Sequence, residues 1–238
     1  MRLEVDRISK RFGGLQALDA VSLEVGAGEV TAVIGPNGAG KSTLLGCLSG
    51  MIPIDSGRML IDGVETALRS PARLIQLGIT RTFQNIRLFE GLSALEHLEL
   101  ARHSARRTHR SAALPDSMAL LARVGLEAKA HLRPAALSYG ERRRLEIARG
   151  LATRPSLFLI DEPAAGSTLS EQRDLADLIK AIADEGVAVI LVEHHMDLVA
   201  RASARVVVLN FGRVLLTGPI DAVRRDPAVI AAYLGTAA

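Results

Sequence analysis

The chain predicts an α/β fold: a core of alternating strands and helices that carries an antiparallel β subdomain and an inserted helical subdomain. Three observations carry this expectation. Short apolar runs of strand length recur at residues 30–34, 157–160 and 187–192, and helical stretches separate them. The first run leads directly into the glycine-rich phrase GPNGAGKST at residues 35–43. Between residues 92 and 150 the β-branched runs give way to leucines at helical spacing.

The elements follow in order. Residues 3–25 alternate and are broken at Gly13 and Gly14, which predicts an antiparallel strand pair. Residues 26–29 read as a turn and residues 30–34 as a buried strand. A helix begins at Lys41 and ends near Gly50. Pro53, Asp55, Ser56 and Gly57 then turn the chain into the short strand RMLIDG, and a further helix–strand step precedes Arg81. Leu95, Leu98 and Leu100, followed by Met118, Leu121 and Val124, mark the helical insertion. The core resumes with LFLI and VAVILV, separated by a helix over residues 170–184 for which Ser170 is the expected N-cap. The strand RVVVLN runs to a hairpin turn at Gly212, and Pro227 opens a short terminal helix containing Tyr233. The expected organisation is one domain over residues 1–238. Residues 1–91 and 151–238 form the core with its β subdomain, and residues 92–150 form the helical subdomain.

Composition sets bounds on function. A chain of 238 residues, 48% hydrophobic and 23% charged, can bury a sizeable core. The net charge of +3 is too weak a bias to imply a nucleic-acid partner, and none is expected. The arginine-rich stretch at 102–110 reads as a solvated helix face or loop, with acidic lipid headgroups as the other reading. No apolar run approaches the roughly 18 residues of a membrane span, and the N-terminus shows no secretory pattern. The single cysteine, Cys47, excludes an internal disulfide and reads as a small core residue. These features place the chain in the cytoplasm, with any membrane contact made through a partner.

The phrase at 35–43 fits the phosphate-loop pattern G-x-x-x-x-G-K-S/T. Gly35, Gly38 and Gly40 let the backbone wrap around an oxygen-rich anion with successive N–H groups pointing inward. The helix that starts beside Gly40 adds its positive end. Lys41 can reach the β- and γ-phosphates of a nucleotide, and the Ser42 hydroxyl can ligate Mg²⁺. Asn37, Ala39 and Thr43 belong to the same cradle. The run LFLIDEP, residues 157–163, is an apolar strand ending in two carboxylates. Asp161 at its end can hold Mg²⁺ through water, facing Ser42, and Glu162 can orient or deprotonate an attacking water.

The stretch LSYGERRRLEIARGL at residues 137–151 completes a pattern. With it, the chain resembles the nucleotide-binding subunits of ATP-binding cassette transporters. That resemblance implies a phosphate-loop (RecA-like) nucleotide-binding core, ATP and Mg²⁺ as ligands, and a second cassette subunit as partner. Here the family's usual third signature residue, glycine, is Tyr139, and its usual glutamine is Glu141. Ser138 and the N–H groups around Gly140 sit at a helix N-terminus, a second anion site that one chain can offer to a neighbour's nucleotide. The family pattern further implies that Phe12 stacks on adenine, that Gln84 touches Mg²⁺ and the attacking water, and that His194 contacts the γ-phosphate. Spacing alone does not separate His194 from His195; the family pattern selects His194. The other histidines, His97, His103, His109 and His131, read as surface or helix residues without metal-ligand spacing. The family often places an aspartate or asparagine bridging the two subunits where this chain has Thr168.

The strings RFGGLQALD, GITRTFQNIRLFEGLSALEHL, DEPAAG, VEHHMDLV and VIAAYLG, with the helical stretch at 101–114, are most similar to the ATPase subunits of branched-chain amino acid importers. That subgroup implies transmembrane permease subunits and, indirectly, a solute-binding protein as partners. It also implies a peripheral position on the cytoplasmic face of the membrane, with docking near Leu88 and Phe89. Importers of urea, amides or aromatic compounds, and a non-transport mechanical or regulatory cassette ATPase, stand as alternatives.

Overall fold

The structure, a computed structural model, describes residues 1–66, 71–106 and 114–234. The stretches at 101–114 and 102–110 therefore run partly outside the described residues, as does His109. Strands β1 (Leu3–Phe12) and β2 (Leu15–Val25) pair antiparallel from Leu3 opposite Val25 to Phe12 opposite Leu15. The chain then enters β3 (Val30–Ile34) and α1 (Lys41–Leu48). β4 (Ser56–Ile61) and β5 (Val64–Glu65) extend the first pair into an antiparallel sheet of order β2-β1-β4-β5. A short α2 (Pro71–Gln76) leads to β6 (Ile79–Arg81).

The region of leucine periodicity contains α3 (Ala94–Arg106), α4 (Ser117–Arg123) and α5 (Tyr139–Leu151). Then follow β7 (Leu157–Asp161), α6 (Leu169–Asp184), β8 (Ala188–Val192) and α7 (Met196–Ala202). β9 (Arg205–Asn210) and β10 (Arg213–Gly218) form the expected hairpin, and α8 (Ile220–Arg225) and α9 (Pro227–Leu234) close the chain.

The second sheet has the order β10-β9-β3-β8-β7-β6 and is parallel from β9 to β6. Every residue of β3, β7 and β8 is buried, as parallel strands covered on both faces require. Alternation decides which face each side chain serves. Phe158, Ile160, Val189 and Leu191 pack with Leu98, Leu121, Leu145 and Ile179 of the helical side. Leu157, Leu159, Ile190 and Val192 pack with Leu44, Leu45 and Leu48 of α1 and with Ile8 of the antiparallel sheet. Each such aliphatic side chain contributes about 1.5–3 kcal/mol when fully buried. The consequence for function is placement. The ends of β3, β7 and β8 are held at one edge of a rigid sheet, and the glycine-rich loop, Asp161 and Glu193 lie at those ends.

One cap differs from expectation. Thr168, not Ser170, caps α6: its hydroxyl accepts from the Glu171 N–H at 3.3 Å, and the Glu171 carboxylate accepts from the Thr168 N–H at 2.8 Å. The reason lies in the spacing. Thr168-x-x-Glu171 is a capping box, whereas Ser170 has Arg173 three residues on and can form none.

Candidate nucleotide site

The loop after β3 is pinned from behind. Gly40 has φ 105°, and a Cβ there would approach the Ala17 carbonyl oxygen to 2.6 Å, so this position admits only glycine. No side chain caps α1, so its first-turn N–H groups remain donors aimed outward. The Lys41 ammonium donates to the carbonyls of Gly35 at 2.7 Å and Pro36 at 3.0 Å. Burial lowers its pKa, and the nearby Glu162 and Asp161 charges oppose that shift. A cavity of about 410 Å³ opens over this loop, a size suited to a small-molecule ligand. Its lining includes Asn37, Gly38, Ala39, Gly40, Lys41, Ser42 and Thr43, with Phe12, Gln84 and Glu162 joining from elsewhere in the chain.

Phe12 is half-exposed at the cavity mouth, and the Lys10 ammonium lies 5.4 Å from its ring centroid. Glu162 takes φ 42°, a left-handed conformation unusual for a non-glycine residue and typical of functional sites. Its N–H donates to the Val192 carbonyl at 2.9 Å, which fixes the turn. The Gln84 amide donates to the Glu162 carboxylate at 3.0 Å. Asp161 is almost fully buried, and Arg81 donates to its Oδ2 at 2.9 Å. Its Oδ1 is buried without a hydrogen-bond partner. An orphaned carboxylate oxygen is costly, and a divalent cation is the kind of group that would satisfy it. Arg81 was not singled out by the sequence, because its partner lies 80 residues away.

Glu193 organises the two histidines. It is fully buried, and its Oε1 accepts from the N–H groups of His194 at 2.7 Å and His195 at 3.1 Å. The Nδ1 atoms of His194 and His195 lie 3.3 Å and 2.8 Å from that same oxygen. Its Oε2 accepts from the Ala164 N–H at 3.2 Å, joining the end of β8 to the turn after β7. His194 is the more exposed of the two and lies outside the lining of the phosphate-loop cavity. His97, grouped with the surface or helix histidines, sits on α3 but is fully buried. Its Nε2 accepts from the Phe89 N–H at 2.9 Å and its Nδ1 lies 2.7 Å from the Ser93 carbonyl. Burial pushes its pKa down.

Ser138 caps α5 through a capping box with Glu141 and is exposed. The Glu141 carboxylate is balanced by Lys129 at 2.6 Å, which offsets the negative charge it brings to the first turn of α5. Gly140 lines a different cavity of about 310 Å³, which shares no lining residue with the first. A Cβ on Gly140 would meet Glu171 Oε1 at 2.9 Å, so the Ser138 corner and the start of α6 are packed together.

Arg143, just behind that corner, is 2% exposed. It donates to the carbonyls of Phe83 and Gln84 at 2.7 Å each, to Glu146 at 3.0 Å and to the Tyr139 hydroxyl at 3.0 Å. Glu146 in turn accepts from the Phe83 N–H at 3.3 Å. The segment bearing Gln84 is thus bolted to α5. The only sequence hint was the pair of apolar-face positions occupied by an arginine and a glutamate.

A glycine-rich loop feeding a helix, a carboxylate-ended strand beside it, and a second helix N-terminus exposed at Ser138 define an ATP-binding cassette ATPase. Residues 18–165 match the ABC transporter family, and the chain belongs to it. Residues 213–238 also match a C-terminal family described as branched-chain amino acid ATP-binding cassette transporter. Among relatives, the high-affinity branched-chain amino acid transport ATP-binding protein BraF of Pseudomonas aeruginosa is 40% identical, covering 99% of this chain and 98% of that one. The corresponding LivG protein of Escherichia coli K12 is 36% identical with the same coverage. A crystal structure of a nucleotide-free ATP-binding cassette from an ABC transporter superposes with TM-score 0.87 at 29% identity, covering 99% of this chain and 100% of that one. Among the described residues, no helix is long and apolar enough to cross a membrane.

Proposed function

We propose that this cassette ATPase powers import of branched-chain or related amino acids through partner permeases that receive cargo from a solute-binding protein. The observation that carries the cargo class is similarity along nearly the whole chain to proteins named for branched-chain amino acid transport, reinforced by the match of the C-terminal segment. In this reading the chain lies peripherally on the cytoplasmic face of the membrane. The exposed Phe89, positioned by His97, is its apolar contact for a permease. Leu88 packs against the protein's own core instead, so docking falls mainly to Phe89.

The triphosphate lies on the N–H groups of residues 37–40 and on Lys41, which trades its loop carbonyls for phosphate oxygens. Ser42, Gln84 and the unpartnered oxygen of Asp161 are the groups suited to hold Mg²⁺, which neutralises triphosphate charge when bound. Glu162, aimed by Gln84, accepts hydrogen bonds from the attacking water and takes its proton. His194, held by Glu193, donates to the γ-phosphate. The Ser138 hydroxyl and the Gly140 N–H of a second cassette, identical or homologous, cover the same phosphates and complete the site.

Reconstitution of the chain with its permeases and binding protein in vesicles tests the assignment. ATP-dependent uptake of leucine, isoleucine or valine supports it. Uptake of urea or aromatic acids in their place, or an assembled complex that takes up none of these three amino acids, sinks the cargo assignment.

A further inference from the structure

Phe211 breaks two rules at once. At 85% exposure it is the most exposed large apolar side chain among the described residues. It also takes φ 45°, in the left-handed region that aromatic residues avoid. The turn explains the second oddity only in part. Asn210 pairs with Arg213, so Phe211 and Gly212 form a two-residue hairpin loop, and both have positive φ. Such loops favour Asn-Gly. Gly212 meets this demand and Phe211 does not. Violations of local preference that persist in a fold are held in place by their surroundings and cluster where ligands bind.

The surroundings here are specific. The Gly212 N–H donates to the Ala39 carbonyl of the phosphate loop at 3.0 Å. The Gly212 carbonyl accepts from the Asp19 N–H at 2.8 Å, and Arg213 donates to the Asp19 carboxylate at 2.7 Å. The turn is therefore anchored both to the loop that holds phosphates and to β2. Its exposed ring lines the same cavity as Phe12, Leu15 and Ala17. These four are apolar members of a lining that also holds Lys41 and Ser42, and Lys10 stands near the Phe12 ring.

We infer that Phe211 is a second aromatic contact for the nucleotide base, so that the base is held between the β1–β2 hairpin and the β9–β10 turn. The inference rests on the reading that nucleotide binds in this cavity. Ring contact is sequence-tolerant but selective for a base over a bare polyphosphate.

Two variants test it on the purified full chain. Phe211→Gly removes the ring and relieves the left-handed backbone. It should loosen ATP and ADP roughly five- to hundredfold, leave inorganic tripolyphosphate within about twofold, and melt no lower than the parent. Phe211→Trp places the only tryptophan in a chain that has none. Its emission should change with ADP and stay constant with tripolyphosphate. Unchanged ATP and ADP affinity in Phe211→Gly, or an equal loss for tripolyphosphate, overturns the proposal while leaving nucleotide binding intact. A parent chain that binds no nucleotide overturns the underlying reading as well.

Discussion

Arg143 donates to the main-chain carbonyl of Gln84 at 2.7 Å, from a side chain that is almost completely buried. That bond ties the helix beginning at Ser138 to the glutamine that touches Glu162. Two hydrogen bonds thus link α5 to the Glu162 carboxylate by way of Gln84. The ion pair with Glu146 is equally buried. Removing one partner of such a pair strands the other, at a cost of about 3–5 kcal/mol. Arg143→Met should therefore lower the urea midpoint sharply, and Arg143→Met combined with Glu146→Met should lose less than the sum of the two single losses, although the Phe83 and Gln84 carbonyls stay without their donor. A loss in the double variant equal to the sum of the single losses would show that the pair is not coupled.

Glu162→Gln keeps the shape of the side chain and removes its charge. ATP binding should persist, because Lys41 and Ser42 are untouched, while single-turnover phosphate release slows by about 10²–10⁴-fold. The variant should accumulate an ATP-bound pair of cassettes. Release at the parent rate would remove Glu162 from the role assigned to it.

The strands and the phosphate loop were legible because their signals are local. A run buried on both faces reads as apolar, as Val30–Ile34 does, and the loop's spacing reflects close backbone contact with an anion. The ion pair of Arg81 with Asp161 and the clamp of Arg143 on residues 83–84 were not legible, since each joins residues 59–80 positions apart. Nothing in the neighbourhood of either partner announces the other. Glu193 was overlooked for a different reason. Its importance comes from burial, which turns an ordinary strand-end carboxylate into the common acceptor for two histidines. The Thr168 cap was legible in the Thr-x-x-Glu spacing, but the position is also the one where the resembled family often bridges two subunits.

That cap makes its own prediction. Thr168→Ala removes the acceptor for the Glu171 N–H and should cost about 1 kcal/mol of stability. Thr168→Asn, which restores the residue type common in the family, should keep the cap. A thermal melt separates the two, and indistinguishable melts for Thr168→Ala and the parent would contradict the capping assignment.

Cys47 supplies a pH signature. Burial pushes its thiol up to about 11 from 9.0, with Lys10 opposing the shift and Asp55 adding to it. The folded state thus favours the protonated thiol. The contribution is fully present below pH 9 and is lost as pH rises through 11. Its slope is at most that of one proton, about 1.4 kcal/mol per pH unit. The stability difference between the parent and Cys47→Ala should shrink across that window, and a difference independent of pH would rule the shift out.

In the proposed working assembly one chain holds a triphosphate on residues 35–43 while offering Ser138 to a neighbour's nucleotide. The most direct measurement is a structure of the assembled importer carrying Glu162→Gln with ATP and Mg²⁺. The γ-phosphate should lie between Lys41 of this chain and the serine of the facing cassette's matching corner, with this chain's Ser138 on the other nucleotide. A triphosphate bound elsewhere, or a Ser138 that faces no polyphosphate in the closed assembly, would contradict it.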